Sequence, residues 1–181
     1  MKRELDERLQ EAFPWLRRPV IERKRDYEFV SGYSIYANYG FELHDGWFTL
    51  LCDLNKEIQE RYAVANISVD IRVEQIKTKW GGLRFYYSLP GSSSSIQAFD
   101  GLCGAGIRMY PKGNEDTVLE ELHSDIAAIV KHYEEKSKFV CEICGAAGER
   151  RTDIGWVYTL CDECYKQRKE AIEKKRNSRG I

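Results

Sequence analysis

The stretch CEICGAAGERRTDIGWVYTLCDEC, residues 141–164, contains two C-x-x-C pairs separated by sixteen residues. The four cysteines are Cys141, Cys144, Cys161 and Cys164. Gly145 follows the first pair and allows the tight turn that directs both sulfurs and nearby amides toward one ion. The spacing therefore predicts a tetrahedral four-thiolate site that holds one Zn²⁺ ion.

The residues around the cysteines predict the fold of this segment. Between the pairs, residues 156–160 alternate in side-chain character as a β-strand does, after a turn at 153–155. The second pair opens the segment DECYKQRKEAIEKKRN, which is rich in helix formers and contains no Gly or Pro. A knuckle, a hairpin and a helix whose first turn carries the last ligands are the layout of a treble clef.

The ligand set predicts a structural rather than a catalytic metal. Four protein ligands complete a tetrahedral site and leave no position for water or substrate. A zinc deaminase would need H-x-E and P-C-x-x-C motifs, and neither occurs. An HNH nuclease would need histidines in or after the treble clef, but the last histidine is His132. Iron in a rubredoxin-like site remains an alternative, although the second knuckle, CDECY, lacks the usual glycine.

Composition places the chain among soluble proteins of a reducing, cytoplasmic compartment. The 181 residues are 43% hydrophobic, which suits a domain of ordinary size with a small satellite. Closely paired cysteines in such a compartment indicate metal rather than disulfides. The N-terminus MKRELDERLQ is charged where a signal peptide would be apolar, and no apolar run approaches the length of a membrane span.

The charge distribution leaves nucleic-acid binding open. The 28 Lys and Arg nearly balance the 29 Asp and Glu, unlike the strongly basic footprint of a dedicated nucleic-acid binder. From Tyr165 onward, however, seven cationic residues face two carboxylates, a local formal charge of +5. The candidate phosphate-contacting residues are Arg150, Arg151, Lys166, Arg168, Lys169, Lys174, Lys175 and Arg176. A solvated C-terminal helix with dipole-complementary cations is the simpler alternative.

Residues 1–137 are predicted to form an α+β domain, with residues 138–181 as the C-terminal module. A short apolar stripe predicts a helix that ends at Pro14. Between Tyr27 and Leu43 the side chains alternate, which predicts one or two strands, with a hairpin near Gly32. Its tyrosines could stack bases, but without accompanying cations they are better explained as packing a half-exposed sheet. A longer helix follows, with Asp45 as its predicted cap.

The rest of the domain is predicted to contain a small antiparallel sheet packed with helices. NISVDIRV (66–73) alternates as a strand, and QIKTKWGGLRFYYSL (75–89) predicts a strand pair around a Gly81–Gly82 turn. PGSSSS (90–95) predicts an exposed loop, and residues 96–114 show little periodicity. Thr117 opens a long amphipathic helix through a capping box. Cys52 and Cys103 are expected to be buried rather than reactive.

These motifs together resemble a group of small bacterial and phage proteins of uncharacterised activity. The group has a GxLRFY-like strand, an acidic helix and a C-terminal module with C-x-x-C-G, Gly-Trp and Leu-Cys-x-x-C. The matching stretches here are GWFTLLCDLNKEIQ, VEQIKTKWGGLRFYYSL and the cysteine segment, within residues 41–165. The chain departs from the group in a longer insert after Leu89 and an extended N-terminus. The resemblance implies the fold and the zinc site, and it implies no activity.

Three hypotheses of different classes follow. The first is a zinc-stapled adaptor or inhibitor that binds another protein, such as a phage or mobile-element factor acting on a host machine. The second is a nucleic-acid binder that uses the treble clef and the basic C-terminal helix. The third is an enzyme with a site in the N-terminal domain, for which His44, Asp45, Glu42 or Arg84 would have to meet in a pocket. No nucleophile or catalytic constellation is evident, so no catalytic residue is predicted.

Overall fold

The computed structural model describes residues 1–89, 99–100, 106–107 and 117–178. In chain order, its helices and strands are α1 (Arg3–Ala12), α2 (Ile35–Tyr39), β1 (Phe41–Glu42), α3 (Phe48–Val64), β2 (Arg72–Lys79), β3 (Gly82–Ser88), β4 (Phe99–Asp100), β5 (Gly106–Ile107), α4 (Thr117–Lys136), β6 (Glu149–Arg151), β7 (Tyr158–Leu160) and α5 (Asp162–Ser178). Short 3₁₀ turns lie at Pro14–Leu16, Asp45–Trp47 and Ser137–Phe139. The α+β class predicted from the sequence is confirmed.

The central sheet is mixed and has the order β1-β2-β3. β2 and β3 form the predicted antiparallel hairpin, whereas β1 pairs with β2 in parallel. β2 begins at Arg72, so the predicted strand over 66–73 was placed too early. The inward side chains of β3 are Leu83, Phe85 and Tyr87, all buried as their two-residue period predicts.

Helices α3 and α4 pack against each other, and their buried side chains join those of the sheet in one core. Trp47, Leu51, Leu54 and Ile58 were predicted to share one helical face, and each is completely buried. The predicted cap was wrong: no side chain caps α3, whose N-cap position is Trp47. Instead, the Asp45 carboxylate accepts a hydrogen bond from the Lys2 backbone N–H at 2.7 Å, which ties the N-terminus to the start of this helix.

Helix α4 also shields the outer edge of β3. The Phe85 backbone N–H donates to Glu134 Oε1 at 3.0 Å, and the Leu83 N–H donates to Ser137 Oγ at 2.8 Å. Both acceptors are buried, so the edge amides find partners without a further strand. The apolar stripe predicted for α4 is confirmed at Leu122, which is completely buried.

The strands predicted between Tyr27 and Leu43 were wrong. The Ser34 side chain accepts from the Ala37 N–H at 3.0 Å and caps the short helix α2, which ends at Gly40 with φ of 69°. Only Phe41 and Glu42 are extended and paired. The alternation of side chains in this segment therefore arose from a helical turn and a loop rather than from a strand.

Two further observations complete the fold. In the part of the chain that the structure describes, no helix is long and apolar enough to cross a membrane. The predicted loop at 90–95 and Cys103 lie outside the described residues. Cys52 packs, partly buried, against the main core.

Candidate metal centre

The four cysteines of the opening stretch converge on one point. The sulfurs of Cys141, Cys144, Cys161 and Cys164 all lie within 4.8 Å of one another. Cys144 Sγ and Cys161 Sγ are 3.6 Å apart, too far for a disulfide, whose bond length is about 2.05 Å. A tetrahedron with metal–sulfur bonds of about 2.3 Å has edges of about 3.8 Å. The cluster therefore has the size of a four-thiolate metal site.

Local backbone geometry brings each ligand to this point. Gly145 has φ of 80° and donates its N–H to the Cys141 carbonyl at 2.9 Å, which closes the first knuckle. Cys161 follows β7 directly, and Cys164 lies in the first turn of α5. The predicted layout of knuckle, hairpin and helix is confirmed, because β6 and β7 pair antiparallel between the two halves of the site.

Within the second knuckle Cys161 favours the thiolate, whereas burial and the neighbouring sulfurs raise the pKa of the Cys164 thiol. The Cys164 N–H points at Cys161 Sγ at 3.5 Å, and this backbone hydrogen bond lowers the pKa of the Cys161 thiol to about 7. Metal ligation requires deprotonated sulfur, so the backbone prepares this residue for binding. All four coordination positions belong to the protein, and the arrangement therefore suits a structural ion.

Glu142 joins the first knuckle to the rest of the module. Its side chain is completely buried, and its Oε1 accepts the Thr159 N–H at 3.0 Å. Burial raises the pKa of this carboxyl to about 7. Its backbone N–H donates to the Thr159 carbonyl at 3.0 Å, and its carbonyl accepts the Gly46 N–H at 2.9 Å. The residue between two ligands thus also binds β7 and the start of α3.

The module contacts the α+β domain through two glycines. A Cβ built on Gly46 would lie 2.3 Å from the Cys141 carbonyl oxygen, so the knuckle rests directly on the backbone there. A Cβ on Gly81 would lie 3.0 Å from Tyr158 C, and the Gly81 carbonyl accepts the Thr159 hydroxyl at 2.6 Å. Both contacts are supplied by turns of the α+β domain that are distant from the module in sequence.

Two tryptophans meet across this junction. Trp80 lies in the β2–β3 turn and Trp156 in the loop between β6 and β7. Their rings are nearly parallel, at 9°, with centroids 6.2 Å apart. The side chains are nevertheless 52% and 56% exposed. Sequence reasoning missed this pair, because no local pattern relates residues 76 positions apart; the bulky residue before Gly81–Gly82 was the available clue.

The eight cations predicted to contact phosphate lie on β6 and α5 and differ in their contacts. Three of them have partners inside the module: Arg151 pairs with Asp162 at 2.5 Å, Arg168 lies 3.8 Å above the Tyr158 ring, and Lys169 pairs with Asp153 at 3.6 Å. The other five are exposed: Arg150, Lys166, Lys174, Lys175 and Arg176. Of these, Arg150 lies on β6 and the rest on α5.

The residues of the enzyme hypothesis have other partners. Asp45 pairs with Lys2 at 3.2 Å, the Glu42 carboxylate accepts Gln75 Nε2 at 2.6 Å, and Arg84 Nη1 donates to the carbonyl of Leu83. Partial burial lowers the pKa of His44. Each of the first three side chains is therefore bound to a different neighbour, and the contacts do not bring them together at one point.

An aromatic patch and a pocket lie beside α2. We define the aromatic patch as Tyr27, Phe29 and Tyr39, which are 87%, 51% and 39% exposed. The Phe29 and Tyr39 rings are 6.3 Å apart, and the Tyr39 hydroxyl lies 3.5 Å from the Tyr27 carbonyl. The pocket has a volume of about 690 Å³. Its lining residues are Arg23, Asp26, Tyr27, Asn38, Tyr39 and Glu42.

The fold and the cluster define a class: an α+β protein with a four-cysteine site able to hold a metal ion. No family model, curated protein or solved structure matches the chain.

Proposed function

We propose that this chain is a non-enzymatic adaptor or inhibitor that binds another protein and contains one structural Zn²⁺. Four soft thiolates in a closed tetrahedral arrangement favour zinc over hard cations such as Mg²⁺ or Ca²⁺. On this proposal the ion folds the C-terminal module and takes no part in chemistry. The resemblance to bacterial and phage proteins suggests a phage or mobile-element factor that acts on a host protein.

The aromatic patch is the observation that carries the protein-binding proposal. Large aromatic side chains are enriched at the centres of protein interfaces, where they supply much of the binding free energy. Tyr27 has φ of 61°, a conformation that a bulky residue rarely adopts, and it holds an almost fully exposed ring in that conformation. An exposed patch of this kind indicates a docking surface.

The adjoining pocket suits a cationic side chain of the partner. The Arg23 guanidinium is already bound to the backbone carbonyls of Glu28 and Asn38 and lies 6.0 Å from the Tyr39 ring centroid. The carboxylates of Asp26 and Glu42 and the tyrosine rings line the remaining space. Carboxylates and aromatic faces both attract a lysine or arginine.

Affinity capture of the full chain from its host, with and without nuclease, tests this proposal. We expect one protein to survive nuclease treatment and to be lost with Tyr27→Asn plus Phe29→Ser. Asn tolerates the left-handed backbone at position 27. Val64→Ser is the matched control, since Val64 is an 80% exposed apolar side chain outside the patch. Retention of the same protein by the patch variant, or loss of all captured protein on nuclease treatment, would contradict the proposal.

Nucleic-acid binding through α5 is the second candidate. No residue of this helix is buried, and its exposed cations include Lys166, Lys174, Lys175 and Arg176. Binding that weakens steeply with salt and disappears when these side chains are neutralised would support it. The absence of binding to both duplex and single-stranded nucleic acid at low salt would exclude this candidate.

A further inference from the structure

The turn that carries Trp80 has an unfavourable sequence for its geometry. Trp80 and Gly81 have φ of 54° and 71°, so both central residues of this two-residue hairpin turn are left-handed. Asn-Gly is the preferred pair in such a turn, and a bulky aromatic residue is rare there. Gly81 is required because its backbone abuts Tyr158 and Thr159. The Trp80 side chain stacks on Trp156 and is still 52% exposed, so burial does not explain an aromatic residue at this position.

The C-terminal module holds Trp156 parallel to Trp80. The bond between the Thr159 hydroxyl and the Gly81 carbonyl, 2.6 Å long, joins the β2–β3 turn that carries Trp80 to β7, three residues after Trp156. The two indoles are stacked at 6.2 Å and about half exposed, so they form one aromatic surface with its two rings fixed relative to each other. We call Trp80 and Trp156 the indole platform.

Cations lie next to this platform on the outward face of the hairpin. Lys77 and Arg84 are direct cross-strand partners, and Lys79 is two residues from Lys77 on the same face. Like charges directly opposite each other destabilise a sheet, and a bound anion would relieve that repulsion. Lys138 is a fourth cation near Arg84. A Cβ on Gly82 would lie 3.3 Å from Arg84 Nη1 and 3.7 Å from Lys138 Cγ, so both side chains lie beside Gly82.

We call Lys77, Lys79, Arg84, Lys138 and Arg150 the basic face. Arg150 extends this face from the α+β domain onto the C-terminal module. It is the cross-strand partner of Thr159, so its side chain leaves the β6–β7 hairpin on the side that meets Gly81. Two carboxylates adjoin these five cations: Glu42, in register with Lys77, and Glu135, which pairs with Lys138 at 2.5 Å. The basic face is thus locally positive, whereas the whole chain has a formal net charge of -1.

We propose that the basic face and the indole platform together bind single-stranded nucleic acid. Bases stack on the exposed indole, and phosphates lie along Lys77, Lys79 and Arg84. Flat aromatic faces beside a positively charged track are how proteins bind single strands without strong sequence preference, because every base has a π-face. A duplex keeps its bases stacked internally and presents no face to the indoles. This site is separate from α5, and the proposal does not depend on the protein partner.

Titration of the zinc-loaded full chain against fluorescein-labelled dT12 tests the proposal. Trp80→Asn is the decisive variant, because it creates the preferred Asn-Gly turn. We expect its thermal unfolding midpoint to equal or exceed that of the wild type while its affinity for dT12 falls at least about tenfold. Trp156→Ala should weaken binding similarly, and Trp80→Phe, which keeps an aromatic face, should retain most of it.

The salt dependence separates the basic face from α5. Removing two phosphate contacts with Lys77→Gln plus Arg84→Gln should reduce the slope of log K against log salt by about 1.4, since each single-strand contact contributes about 0.7. Lys174→Gln plus Lys175→Gln, on α5, is the matched control and should leave most of the affinity.

Four results would overturn the assignment. The first is no binding of dT12 at low salt, and the second is equal affinity for a duplex of the same length. The third is displacement by poly-L-glutamate together with an unchanged affinity of Trp80→Asn, which would identify a surface for acidic polypeptides. The fourth is a loss of binding confined to the α5 variant, which would place the nucleic acid on that helix.

Discussion

Replacing Gly46 with alanine should separate the first cysteine knuckle from the α+β domain. The added Cβ would lie 2.3 Å from the Cys141 carbonyl oxygen, 2.6 Å from Gly145 N and 2.7 Å from the Glu142 carbonyl carbon. All three are backbone atoms of the knuckle, so no side chain can rotate away to make room. The backbone at Gly46 is not in the left-handed region, and the clash is therefore the main effect of the substitution.

The magnitude follows from two contributions to the free energy of unfolding. Overpacking a well-packed site costs about 1–3 kcal/mol. Moving the knuckle also breaks the 2.9 Å hydrogen bond from the Gly46 N–H to the Glu142 carbonyl, which contributes about 1 kcal/mol. We expect a loss of about 3 kcal/mol, which for a protein of this size lowers the unfolding midpoint by about 6–12 °C.

Urea and thermal unfolding of the zinc-loaded protein, followed by tryptophan fluorescence, measure this loss. Gly32→Ala is the matched control, because Gly32 has φ of 87° and a Cβ there meets nothing within 4 Å. It should cost only the left-handed backbone penalty of about 1 kcal/mol. If Gly46→Ala is no less stable than Gly32→Ala, the knuckle does not rest on Gly46, and the described junction between the module and the domain is wrong.

Three further outcomes are expected. Wild-type protein should contain one zinc per chain by elemental analysis. The double variant Cys141→Ser plus Cys161→Ser should lose the zinc and become protease-sensitive from residue 138 onward. A double variant that keeps zinc and resists protease would contradict the assignment of these cysteines as metal ligands. Glu134→Ala should lower the free energy of unfolding by about 1–3 kcal/mol, because the buried Phe85 N–H loses its acceptor, whereas Glu134→Gln should cost less in the same urea titration. Burial lowers the pKa of His44 below 6.5, so as the pH falls through 6.5 the unfolded chain binds a proton before the folded chain does, and the free energy of unfolding should decrease. His44→Gln should flatten this pH dependence in urea titrations from pH 7 to 5. An unchanged slope would exclude His44 as the cause.

Periodicity predicted side-chain burial better than it predicted strand pairing. Residues 67–71 alternate in exposure as expected of a strand, with Ile71 buried and Asp70 exposed, yet the segment is not paired. Alternation requires only an extended backbone against a core, whereas a strand also requires a neighbour in register. The neighbours of β2 begin to pair at Arg72.

In the segment from Tyr27 to Leu43, a short helix was mistaken for a strand. A five-residue helix spans little more than one turn, too short for its period to be distinguished from a strand's. Its helical form depends on contacts outside the pattern: the Ser34 cap, and the buried Asn38 side chain, which binds the backbone of Val30. Ser34 before the apolar residues and Gly40 after them were the available local clues.

Local sequence patterns were enough to predict the four-cysteine site, the buried face of β3 and the buried faces of α3 and α4. Each depends on residues close together in the chain, where ligand spacing and the two- or 3.6-residue period are imposed by the covalent backbone. The docking of the knuckle on Gly46 and the stacking of Trp80 on Trp156 could be found only in the folded protein. Those contacts join residues 76 or more positions apart, and they depend on which folded surfaces can approach closely enough for two backbones to touch.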